Sequence, residues 1–154
     1  MRRFDQEWAL LIAARTWLGD AGYELVDSRG PEGMDQGLDA YTGTVVGIML
    51  WADRSQWFVD VRPLAHSGDW FNLESWSICL GAPVVFHDTR PRQSQQDWLE
   101  VLENSWWLQP QLDYLRTHLR NIEDACQPSR VNETLECLAS VRVATAAFPA
   151  NDSA

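Results

Sequence analysis

The side chains able to do chemistry are few and dispersed. The three histidines, His66, His87 and His118, stand alone, without the HxxxH or HExxH spacing that brings two imidazoles to one metal ion. His87 and Asp88 are neighbours, so on a strand they would point to opposite faces. Asp60, His66 and Asp69 could converge at one end of a hairpin, although solvated loop positions account for them better. The three cysteines, Cys79, Cys126 and Cys137, form no CxxC pair and leave an odd one over. They read as small apolar packing residues of a protein in a reducing cytoplasm. There is no GxSxG, and the glycines of 28–39 lack the spacing of a phosphate cradle. With 22 acids in the chain some carboxylate pair is always available, so carboxylates alone identify no hydrolase. Asp60, between Phe58 and Arg62, is placed for a cross-strand or i,i+2 ion pair. The sequence therefore implies no enzyme, no metal and no cofactor.

Charge is the stronger signal. All twelve cationic residues are arginine, and the formal net charge is −10. Residues 20–39 carry six acids against one arginine, and residues 97–136 carry eight against three, while the other stretches nearly balance. Nucleic acid and anionic membrane are excluded as partners by this sign, because both are bound through cationic groups. A basic protein partner is compatible with it. The longest uncharged runs, 40–52 and 75–87, are 13 residues each, too short to span a bilayer.

The elements that would position these charges follow from periodicity. Phe4, Trp8, Leu11, Ile12 and Leu18 recur at helical spacing, with Asp5 and Glu7 in the first turn, where the helix dipole favours acids. Residues 23–27 read as a short strand and 28–39 as a loop. The apolar run 41–51 reads as a central strand covered on both faces, and 56–62 as its hairpin partner with Trp57, Val59 and Val61 inward. Residues 69–80 fit a short helix slightly better than a strand, and 84–87 fit a strand. A helix capped by Ser94 carries Trp98, Val101, Leu102 and Trp106 inward as far as the break at Pro110. Beyond it Leu108, Leu112, Leu115, Leu119, Ile122 and Cys126 mark a long amphipathic helix, and Val131, Leu135, Leu138 and Val141 a last one.

This order predicts one α+β domain over residues 1–148, with a frayed tail at 149–154. About four antiparallel strands would pack against an N-terminal helix and a C-terminal helical segment. On the helix from Ser94, Asp97, Glu100 and Glu103 follow a three-residue step and form an acidic ridge. Trp107, about 100° beyond Trp106 around the helix, lies toward that ridge as an anchor. With Glu32, Asp35 and Asp39 of the other acidic stretch, these residues are the expected partner-binding surface. The function class that fits is a small acidic cytoplasmic module, an immunity or antitoxin-type inhibitor of a basic bacterial toxin. The alternatives are a chaperone for a secreted client and a small-molecule binder or enzyme with a tryptophan-lined pocket between sheet and helices.

Overall fold

Period-two alternation decides which side of the sheet the helices take. In β3 (Val46–Asp53) and β4 (Gln56–Pro63), Ile48, Leu50, Trp57, Val59 and Val61 are all fully buried, and the residues between them are mostly half-buried on the opposite face. The computed structural model describes residues 2–66 and 68–146; the tail expected at 149–154 lies outside them. Five antiparallel strands lie in sequence order, β1 (Glu24–Glu32), β2 (Gln36–Thr42), β3, β4 and β5 (Phe71–Asn72). Helices α1 (Arg3–Asp20), α2 (Leu73–Cys79) and α4 (Leu108–Ala125) close one core against the sheet, with α5 (Val131–Ala146) behind α2. This is the α+β class that the sequence implies. No helix of the described residues is long and apolar enough to cross a membrane.

Several local expectations are corrected. The loop expected over 28–39 is a hairpin, β1 with β2, turning through Met34 and Asp35 in the left-handed region. As an edge strand with nearly every residue exposed, β1 has no inward face to impose an apolar period. The single strand expected over 41–51 is two strands joined at Gly43–Val45, and its outer residues Met49 and Trp51 are only half-buried. Residues 84–87 form no strand among the described residues; the Glu74 carboxylate accepts the Phe86 and His87 amides at 2.6 and 3.2 Å in a strand's place. The helical reading of 69–80 holds for α2, where Asn72 caps the Ser75 amide. Asp60 accepts the Trp51 ring N–H at 2.8 Å instead of pairing with Arg62.

The break expected at Pro110 falls earlier. Helix α3 (Gln95–Asn104) stops at Ser105, and Pro110 sits in the first turn of α4, where a missing N–H leaves nothing unsatisfied. The α4 stripe is as read: Leu108, Leu112, Leu115, Leu119 and Ile122 are buried. Gln111, also fully buried, completes the open edge of β4. It accepts the Val59 amide and donates to the Trp57 carbonyl, both at 2.9 Å.

The cysteine reading is overturned for two of the three. Cys79 and Cys137 are joined across α2 and α5, 58 residues apart, a pairing that only the folded proximity of two helices reveals. Cys126 is free and buried, and burial pushes its thiol up to about 12. Closing a loop of this length removes enough unfolded-state entropy to stabilise the fold by about 4 kcal/mol. Reduction, or the Cys79→Ser/Cys137→Ser pair, is therefore expected to lower unfolding free energy by about that amount in urea titrations. Cys126 should stay unmodified by thiol reagents until the chain unfolds.

Candidate functional site

The site is built around a short joint, Ser105–Trp107, where α3 ends and α4 begins. Trp106 adopts φ 56°, a conformation that costs a non-glycine residue about 1–3 kcal/mol and persists only where its surroundings fix it. They do. Its amide donates to the Phe86 carbonyl at 2.8 Å, and its carbonyl accepts the Trp57 amide at 3.0 Å. The Ser105 hydroxyl accepts the Asp88 amide at 2.8 Å.

Helix α1 then locks both helix ends with one ion pair. Arg3 donates to the carbonyls of Leu102, Glu103, Ser105 and Trp106 at 2.6–3.3 Å, satisfying the end of α3 where orphan carbonyls gather. Its guanidinium also lies 4.1 Å from the Trp107 ring centre. Glu7 accepts Arg3 Nε at 2.8 Å with one oxygen and the first α4 amide, Leu108, with the other. The Glu7 side chain is 1% exposed. Burial pushes its carboxyl above the ordinary glutamate value, against the opposing pull of Arg3 and the Leu108 amide. The expected dipole role for Glu7 is thus replaced by a buried cap on another helix, and Ile12, expected inward, is exposed.

The joint holds α3 out from the core. Val101 is the one α3 residue that is buried, whereas Leu99 and Leu102 are 55% and 45% exposed. They are i,i+3 neighbours on one helix face, and Glu103 follows Leu99 by four residues. Leu102, expected in the inward stripe, therefore faces solvent. Beside the joint, Trp107 lines a recess with Val85, His87, Arg90 and Asn104. Glu74 holds His87 Nδ1 at 2.7 Å, and Trp106 stacks on the same ring.

The seven residues expected to bind a partner divide. Asp39 is fully buried, held by Arg15 at 2.7 Å and by the Ser28 and Tyr41 hydroxyls, so it belongs to the core and not to a surface. Asp97 is engaged at the start of its own helix, accepting the amide of Gln93 just before the Ser94 cap. Glu100 pairs with Arg90, which also pairs with Asp88. Asp35 pairs with Arg2 and accepts the Ser55 hydroxyl. Glu32 and Glu103 are exposed and carry no ion pair among the described residues. Trp107 is half-buried, its ring N–H donated to the Glu103 carbonyl. The two acidic stretches do approach one another: Ser55 holds Asp35, and Gln56 donates to the Leu102 carbonyl at 3.3 Å. From sequence, Arg3 and Gln111 have no site role, and Glu7 has only the dipole role. Glu7 was findable, because it sits at the inward spacing of Phe4, Leu11, Ala14 and Leu18.

Two of the nine tryptophans, Trp57 and Trp76, are wholly buried and fill the layer between sheet and helices. Comparison of the chain with protein-family models, curated proteins and solved structures finds no match.

Because its pKa is raised on folding, Glu7 binds a proton more tightly in the folded than in the unfolded chain. Its contribution is present below the ordinary glutamate value and is lost as pH rises through the raised one. Urea unfolding of the parent and Glu7→Gln between about pH 4 and about pH 7 should show the variant gaining relative stability as pH rises. A pH-independent difference would contradict this reading.

Proposed function

We propose that the chain is a protein-binding module that presents α3 to a basic protein partner, as an immunity protein does to the toxin it neutralises. The observation that carries this reading is the exposed Leu99–Leu102 pair on a helix fixed at its C-terminal end by the Arg3–Glu7 caps. Adjacent half-exposed leucines on a rigid helix are the kind of anchor that an interface covers. Glu103, beside them without an ion pair among the described residues, supplies the acidic contact. The acidic ridge is a weaker support than its sequence spacing implies, since Asp97 and Glu100 are already engaged. Net charge still acts at range: −10 steers a cationic partner toward the surface before contacts form.

The Cys79–Cys137 bond supports an oxidising compartment as the place of action, in preference to the cytoplasm inferred from the cysteine count. The same leucine face would serve a chaperone holding an apolar segment of a secreted client. Ionic strength separates the two, because steering by charge weakens with salt and apolar docking does not.

The test begins with affinity capture from the native host and identification of the retained protein. With that partner purified, Leu99→Asp/Leu102→Asp should weaken binding about a hundredfold without changing the far-ultraviolet circular dichroism. Glu103→Arg should slow association and leave dissociation nearly unchanged. Undiminished binding by the leucine variant would remove α3 from the interface.

A further inference from the structure

The side of β3 and β4 opposite the buried core carries a recess of its own, edged by Ser75 of α2 and Arg142 of α5. Trp51 and Phe58 are cross-strand partners there, with ring centres 4.5 Å apart in a stacked arrangement. Trp70, just before β5, stands nearby with the Arg62 guanidinium 4.5 Å from its ring centre. Together with Asp60, Ser75 and Arg142, these three aromatic residues line a recess of about 380 Å³. That volume is within the range of small-molecule sites, about 300–1,000 Å³.

Asp60 is the polar centre of this recess. Its one hydrogen bond among the described residues comes from the Trp51 ring N–H at 2.8 Å. A carboxylate accepts several hydrogen bonds, and burial pushes this one above the ordinary aspartate value. Asp60 therefore has acceptor capacity left for donors brought by a ligand. Arg142 is held at the rim by the Trp70 carbonyl and by Asp69 at 3.5 Å, and it lies over Phe71.

The charges choose the ligand class. Asp60 and Asp69 stand against Arg62 and Arg142, so the recess and its rim are locally neutral. A cation would meet two guanidiniums, and an anion would meet the desolvated Asp60. A neutral ring bearing hydroxyls meets neither difficulty. Its C–H faces lie on the indole and phenyl surfaces, its O–H groups donate to Asp60, and its oxygens accept from Arg142 and Ser75. We infer that this recess binds a sugar ring of a neutral glycan, at a site separate from α3.

The experiment uses the full chain on an array of neutral, acidic and basic glycans, with arginine-rich peptides as the cationic comparison. A neutral glycan should be retained, and its addition should shift the Trp51 indole N–H resonance in a nitrogen-15 correlation spectrum. The Trp57 and Trp76 indole signals should hold their positions. Asp60→Asn should weaken the glycan about tenfold. Ser75→Ala, which keeps the backbone amide that Asn72 caps, should weaken it by a smaller factor. Retention of no neutral glycan, preference for peptide or charged glycan, or parental affinity in both variants would overturn the inference.

Discussion

One buried ion pair holds together three elements that otherwise have little reason to meet. Arg3 and Glu7 lie one turn apart on α1, and between them they satisfy the carbonyl end of α3 and the amide end of α4. A pair this buried is weak evidence of net stabilisation, since desolvation of both charges offsets most of their attraction. Its effect here is geometric. Two helix ends of opposite polarity need opposite charges, and a single i,i+4 pair delivers both to the same joint. With those caps in place, Trp106 can hold its left-handed backbone and reach β4 with its carbonyl, while Gln111 completes the same strand edge one turn later.

That geometry changes what the acidic stretches mean. A count along the chain places nearly all the excess charge in two segments, but folding spends much of it locally. Arg90 takes Asp88 and Glu100, Arg15 takes Asp39, and Arg2 takes Asp5 and Asp35. The exposed pairs among these add little stability, yet all of them leave fewer carboxylates for a partner. The apolar content of the projecting helix therefore distinguishes the candidate interface better than its charge does. The sheet's outer face follows the same logic from the other side, with aromatic residues at outward positions around one poorly satisfied carboxylate.

What was legible in the sequence is what repeats. The α4 stripe, most of the α1 stripe, the alternation of 56–62 and the Ser94 cap all follow from side-chain periodicity or local hydrogen bonding, which neighbouring residues determine. Elements set by distant residues were not legible. The part of β1 beyond the strand read at 23–27 lacks a period because it is an edge, and the apolar run 84–87 reads as a strand although the Phe86 and His87 amides go to Glu74 of a helix. The Cys79–Cys137 bond and the burial of Asp39 depend on contacts 58 and 24 residues apart in sequence. On α3, an apolar stripe reads as inward by default; the helix stops at Ser105, and Leu102 of that stripe is exposed.

The central claim is that the Arg3–Glu7 pair orients α3 without being needed for the core. Replacing both residues by methionine removes the caps and leaves no buried charge uncompensated. Native-state hydrogen exchange, residue by residue, then separates the two roles. Amides of 95–104 should then lose protection while those of β3 and β4 keep theirs. Parental protection over 95–104, or equal loss in helix and sheet, would contradict it.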